Sequence, residues 1–302
     1  MSDSFSLGID VGGTKILIGL ISTKGPPLRQ FTELPTHSSD GVRSAQLRLV
    51  GAIENLLKKS SVSVSQLCSI GIGAPGPLNL DNRTFDNPYT LPGWEGWSMS
   101  QFLFDKYGRP ITFENDADMT AYGEYKMRKN SPDPMLILTI GTGIGGSLVT
   151  GGEIYRGASR EHPEIGLIPT LDSGDDCYSN VVGSLESWAS GTSFSRKAKE
   201  FGLNDPGELF TSMEKPVVLY KAKIEMAWKR GIQTFLHCYY PQEIVFAGGV
   251  TDYHFDFFQK GAIKAIKESR LIDEKKVRVS RAILGKNAGA IGAACYAFDK
   301  SV

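Results

Sequence analysis

Residues 7–20 read "LGIDVGGTKILIGL", and the reading of this stretch decides the fold. An apolar run closes in Asp10. Two glycines, a threonine and a lysine follow, and then a second apolar run. Glycines beside Thr and Lys suggest a phosphate cradle, but a loop of the GxxxxGK[ST] type opens into a helix. Here the pattern predicts a turn back into another strand, with a carboxylate at the tip of the hairpin. Backbone N–H groups that converge in a tight glycine turn can hold phosphate oxygens. The commoner use of one such turn is simply to make a hairpin.

The pattern returns at residues 135–154, "MLILTIGTGIGGSLVTGGEI", again strand, glycine turn, strand and a second turn. Two similar units, each built on such a hairpin and facing each other across a cleft, are the expected organisation. The Pro-containing segment 129–134, "KNSPDP", is a plausible seam. Elsewhere helical spacing (Val42, Leu49, Ile53, Leu56, Leu57) alternates with apolar strands, which makes the chain α/β. The segments "GIGAPG" (71–76) and "GTGIGG" (141–146) match GxGxxG. Pro75 and Pro77 stand against a helix after the first, and "SLVTGGEI" after the second is not helical, so neither reads as a dinucleotide fingerprint.

Composition narrows the class. The length of 302 residues accommodates two domains. Lys plus Arg and Asp plus Glu balance at 33 each, which gives no electrostatic case for nucleic acid or a membrane surface. No apolar run approaches the roughly 20 residues of a membrane helix, and residues 1–10 lack the pattern of a signal peptide. Cys68, Cys177, Cys238 and Cys295 are scattered without a CxxC pair, as reduced thiols of a cytoplasmic protein would be.

Three places carry candidate chemistry. Asp10 closes an apolar strand, where a carboxylate is costly without a partner. Mg²⁺ held through water beside phosphates is a natural one. Asp116, in "FENDADM", sits where a strand breaks into a helix and can serve as a base for a hydroxyl proton. Asn115, Asp116 or Asp118 could equally cap that helix. In "REHPEIG" (160–166), Glu161, His162 and Glu164 could bind a polar ligand or form a solvated loop, and no second ligand at metal spacing accompanies His162.

Nine segments carry a resemblance. They are "GIDVGGTK", "GIGAPGPLN", "DNPYTLPGW", "ENDADMTAYGE", "TIGTGIGGSLV", "GASREHPEIG", "LESWASGTS", "IVFAGGV" and "LGKNAGAIGAA", in that order. From about residue 7 to residue 294 the chain resembles the ROK family of sugar kinases, open-reading-frame relatives and transcriptional repressors. The resemblance implies the two-domain actin-like ATPase fold, also called ribonuclease H-like, with an interdomain cleft. It implies that Asp10 organises Mg²⁺ and that Gly12, Gly13, Thr14 and Lys15 approach the ATP phosphates. Gly141, Thr142 and Gly143 correspond to the second phosphate loop, and Gly248 and Gly249 to the adenosine-side loop. Asp116 matches the catalytic base, with Asn115 beside it on the sugar. Glu164 and Glu186 match sugar-contacting acids, Gly76 lies in a loop near the sugar, and His162 stands close by.

Two departures accompany the match. The family's E-I-G-H reads "EIGL" here, with Leu167 in the place of the histidine. The family's cysteine cluster reads "CYSNVVGSLE", so that Cys177 remains while Tyr178, Ser179, Val182 and Ser184 stand around it. A structural zinc normally takes four ligands, and none is expected here. The lost histidine usually touches a sugar hydroxyl, and the "HPE" variant is also seen in ROK fructokinases. The family's repressors carry an N-terminal helix-turn-helix domain; with few residues before the first hairpin, none is expected.

The expected domains are 1–120, with a C-terminal helix at 288–302 packing back on it, and 121–287. The expected function is phosphorylation of a hexose hydroxyl by ATP, glucose foremost, with fructose, mannose or an N-acetylhexosamine as alternatives. A non-catalytic sugar sensor is the rival outside enzymes. The expected assembly is a homodimer with no nucleic acid or membrane partner.

Overall fold

β1 (Phe5–Val11) and β2 (Lys15–Ser22) form the first hairpin, antiparallel, with Asp10 opposite Leu17 and Val11 opposite Ile16. The computed structural model describes residues 4–23, 29–158, 160–175 and 180–301. β3 (Arg29–Pro35) extends the hairpin antiparallel to β2. On the other side, β4 (Leu67–Ala74) runs parallel to β1, and β7 (Ile111–Asn115) parallel to β4, giving the order β3-β2-β1-β4-β7. A small hairpin, β5 (Leu78–Asn79) with β6 (Thr84–Phe85), lies between β4 and β7 in the chain.

The second unit repeats this plan. β8 (Met135–Ile140), β9 (Ile144–Thr150) and β10 (Glu153–Ile154) form an antiparallel meander; β11 (Glu243–Ala247) is parallel to β8, and β12 (Arg278–Arg281) to β11. The order is β10-β9-β8-β11-β12. The central strands β4 and β11 are nearly continuous apolar runs, as parallel strands covered on both faces require.

Helices close each core. In the first unit, α1 (Val42–Lys59) buries Ala45, Leu49, Ile53, Leu56 and Leu57 along one face. α2 (Met99–Tyr107) starts on the hydroxyl of Ser98 and stops at Gly108, whose φ is +61°. α3 (Asp116–Met127) follows β7 without a break. In the second unit, α4 (Leu185–Ala189), α5 (Gly191–Glu200), α6 (Glu208–Thr211), α7 (Lys215–Tyr239) and α8 (Gly249–Glu268) surround a core that includes Trp228, Phe235, Phe246 and Phe258.

α9 (Ala288–Asp299) belongs to the first unit. A Cβ on Gly8 would lie 1.8 Å from the carbonyl oxygen of Ala290, and one on Gly71 would lie 1.9 Å from that of Ala293. These glycines therefore let α9 lie directly on β1 and β4. Gly292 returns the favour on α3, where its Cβ would stand 1.6 Å from the oxygen of Met119. The compact units divide after Ser131, with 158–160 and residues from 284 onwards joining the first. The division expected at 120 falls inside α3. That helix stays whole in the first unit because Gly123 and Met119 pack it on α9.

Candidate functional site

The expected site residues divide between the units. Asp10, Gly12, Gly13, Thr14, Lys15, Gly76, Asn115 and Asp116 fall in the first; Gly141, Thr142, Gly143, His162, Glu164, Glu186, Gly248 and Gly249 fall in the second.

In the first unit, Asp10 is the last residue but one of β1 and is half-buried. Burial pushes its carboxyl up to about 7, the charge of Asp116 pushes in the same direction, and Lys15 opposes both. Two carboxylates that raise each other's cost of ionisation form a place that favours a cation. The hairpin is braced from β3: Thr36 donates from Oγ1 to the Gly12 oxygen at 2.6 Å and from its N–H to the Thr14 oxygen at 3.0 Å. Gly12 N–H closes the turn on the Lys15 oxygen at 2.9 Å. Gly12 and Gly13 do not use the left-handed backbone. What Gly13 supplies is room, since a Cβ there would meet Thr90 Cγ2 at 2.7 Å. Lys15 is exposed and pairs with Glu33 at 3.2 Å.

Asn115 and Asp116 separate their duties at the junction of β7 and α3. Asn115 is the N-cap, with Oδ1 accepting the N–H groups of Ala117 at 2.8 Å and Asp118 at 3.3 Å. Asp116 is the first helical residue, half-buried, with Oδ1 accepting the N–H of Ala117 at 2.8 Å. The capping role left open by the sequence therefore falls to Asn115. Gly76, exposed beyond β4, lies close: its Cβ position is 3.8 Å from Asn115 Nδ2.

In the second unit, the turn between β8 and β9 is held from the helices. The Gly141 oxygen accepts the N–H of Gly191 at 2.8 Å, and the Thr142 oxygen that of Thr192 at 3.1 Å, so α5 begins on this turn. Glu186 Oε2 accepts the N–H of Ile144 at 2.7 Å, and a Cβ on Gly143 would strike the same oxygen at 2.4 Å. Burial raises the carboxyl of Glu186, the Ile144 N–H lowers it, and the charge of Glu164 raises it again. Glu164 is exposed and precedes a single 3₁₀ turn, Ile165–Leu167, while His162 is half-buried in the loop before it. Leu167 is half-buried and donates its N–H to the Glu164 oxygen at 3.1 Å.

An open pocket of about 1240 Å³ brings Gly141, Thr142 and Gly249 together with residues the sequence did not flag: Thr192, Tyr253 and His254. Gly248 makes the bend at its edge, with φ +98° and a Cβ position 2.4 Å from the Ile140 oxygen. His254 stacks on Phe210 with centroids 4.3 Å apart, and burial lowers its pKa against the pull of Asp205. Aromatic residues on a helix read as core in a sequence. Tyr253, 86% exposed at the pocket, is the exception that only coordinates reveal. Thr36 was missed for the same reason, because a lone buried threonine after a strand carries no pattern.

Among the described residues, no group of three or more His, Cys, Asp and Glu is arranged to hold a metal, and no helix is long and apolar enough to cross a membrane. The expected absence of zinc turns on Cys177, Tyr178 and Ser179, which lie outside the described residues. Mg²⁺ asks less of a protein, one or two carboxylates together with substrate phosphates and water. The Asp10–Asp116 pair fits that demand.

Comparison with known proteins accords with this geometry. A model of the ROK family matches residues 6–300. A glucokinase of Halalkalibacterium halodurans is 29% identical, over 97% of this chain and 94% of its own. The crystal structure of a ROK hexokinase from Thermus thermophilus matches with a TM-score of 0.84 at 26% identity, covering 98% of each chain. That of a ROK family glucokinase from Streptomyces griseus, in complex with glucose and AMPPNP, matches with a TM-score of 0.69 at 24% identity, over 98% of this chain and 100% of that one. The chain has the two-domain actin-like ATPase fold.

Proposed function

The chain belongs to the ROK family, and from that premise we propose that it is an ATP-dependent sugar kinase that phosphorylates a hexose hydroxyl, glucose foremost, with Asp116 as general base. The observation that carries the reading is the pairing of Asp10 and Asp116 in one electrostatic neighbourhood, each beside a loop of the type the chemistry needs. The crystallised relative with glucose and AMPPNP supports the choice of substrates.

In this reading Asp116 accepts the proton of the sugar hydroxyl as its oxygen attacks the γ-phosphorus; the bond to the β-phosphate oxygen breaks and ADP leaves. Position matters more than covalent chemistry in phosphoryl transfer. Asn115 fixes the start of α3, and with it the direction of the Asp116 side chain. With Asn115 Oδ1 spent on the cap, Nδ2 is left to donate to the sugar. Gly12, Gly13 and Thr14, with Lys15 near them, approach the phosphates from the first unit. Gly141, Thr142 and Gly143 are the second set of phosphate-loop residues of this reading, and Gly248 and Gly249 its adenosine-side residues. Bound Mg²⁺ supplies charge neutralisation at the phosphates, and Asp10 is the residue that would hold it, through water. Glu164, Glu186 and His162 offer polar groups to the sugar.

Leu167 favours a second reading of specificity. It cannot donate the hydrogen bond of the family's histidine, and a buried hydroxyl left unpaired costs about 1–3 kcal/mol. Fructose, mannose or an N-acetylhexosamine are therefore the alternative acceptors. The test is ADP release from MgATP with glucose, fructose, mannose, N-acetylglucosamine and N-acetylmannosamine. Turnover with one of them names the substrate. Sugar binding with no turnover would replace the kinase by a sensor of the same fold.

A further inference from the structure

The segment "DNPYTLPGW" (86–94) is a family-like motif that contributes none of the expected site residues. Its asparagine, Asn87, is 1% exposed and uses its whole side-chain amide. Nδ2 donates to the Gly76 oxygen at 2.5 Å and the Pro75 oxygen at 3.2 Å. Oδ1 accepts the N–H groups of Thr90 at 2.8 Å and Tyr89 at 3.1 Å. An amide side chain has two donor hydrogens and two acceptor lone pairs, and all four are engaged.

The two ends lead to different parts of the first unit. On the donor side is the loop of Gly76, against Asn115 Nδ2. On the acceptor side is Thr90, whose methyl group would lie 2.7 Å from a Cβ on Gly13, with the Thr90 oxygen 3.4 Å from the same point. One buried side chain thus ties the loop beside Asn115 to the outer wall of the first glycine turn.

We propose that Asn87 is a positioning residue that sets the sugar loop and the phosphate turn in register, its Nδ2 acting on the sugar side and its Oδ1 on the nucleotide side. The proposal rests on the kinase reading above. It assigns the two ends separable effects, which a merely structural asparagine would not have. Asn87→Ser keeps an acceptor able to take the Thr90 N–H, because a serine hydroxyl forms the same local turn more weakly, but it cannot reach Gly76 and Pro75. Asn87→Ala removes both ends.

The experiment is steady-state kinetics of the wild type and both variants, with each substrate varied in turn and melting followed by circular dichroism. The sugar KM of Asn87→Ser is expected to rise about tenfold, as for loss of two hydrogen bonds, with the MgATP KM within about twofold of wild type. In Asn87→Ala both KM values are expected to rise. Unchanged KM values, or equal rises of both in Asn87→Ser, overturn the proposal. So does melting of either variant below the assay temperature, which would make the residue structural. A wild type inactive with every sugar overturns the kinase reading, and this proposal with it. An active wild type with an indifferent Asn87→Ser overturns the proposal alone.

Discussion

Glu186 accepts the backbone N–H of Ile144 at 2.7 Å, so an acid on α4 holds the glycine turn between β8 and β9. Glu186→Ala is expected to leave that N–H without its acceptor and to destabilise the fold by about 1–3 kcal/mol. Glu186→Gln retains an acceptor and removes a charge that burial disfavours, and its stability is expected to match or exceed that of the wild type at neutral pH. Urea denaturation of both variants checks the difference.

Asp116→Asn is expected to lower kcat by about 10²–10⁴-fold, the usual contribution of a general base. Its melting temperature is expected to stay near that of the wild type. Asn115 carries the cap of α3, and an asparagine oxygen at 116 can still accept the Ala117 N–H. Loss of turnover accompanied by loss of α3 helicity would instead return Asp116 to a structural role.

His254 gives a pH dependence with a definite sign. Burial lowers its pKa below the ordinary 6.5. The unfolded chain therefore binds the proton more readily than the folded one, and stability rises with pH between the lowered value and 6.5. Above 6.5 the contribution is fully present; it is lost as pH falls through the folded value. His254→Phe keeps a ring to stack on Phe210, and its melting temperature is expected to lose this part of the acid sensitivity. Parallel melting curves of the two proteins below pH 6.5 would refute it.

Gly292→Ala is expected to be among the most damaging single methyl groups in the chain. Its Cβ would stand 1.6 Å from the Met119 oxygen and 2.8 Å from the Gly123 nitrogen, both backbone atoms of α3, with no flexible side chain to yield. Overpacking of this kind costs about 1–3 kcal/mol and occasionally more. The denaturant midpoint of the first unit, followed through its tryptophans Trp94 and Trp97, measures it.

Much of the fold was legible because its signals are local. The "LGIDVGGTK" and "LTIGTGIGG" hairpins announce themselves by apolar runs meeting at glycines, and they proved to be the centres of two sheets with one strand order. Asp10 could be picked out because it closes an apolar strand, and Asp116 because it stands where a strand breaks into a helix. What stayed hidden depends on contacts distant in sequence. Nothing in the spacing says that Asn115, and not its neighbours, takes the cap, that Glu186 latches Ile144, or that Gly13 makes room for Thr90. Nor does the spacing say that the helix spanning position 120 is held by α9, since the contact pairs Met119 and Gly123 with Gly292.

The placement of α9 has a consequence for the order of synthesis. When the first 131 residues have left the ribosome, the strips over Gly8 and Gly71 are still bare, because the helix that covers them is encoded after residue 287. Gly289 of that helix is also the residue beside the Asp10 carboxylate. The second unit is therefore translated in full while the first still lacks α9, and the strand surface that α9 covers stays exposed, as in a folding intermediate. A nascent chain stalled before α9 would carry both glycine turns and still lack the wall against which Asp10 is set.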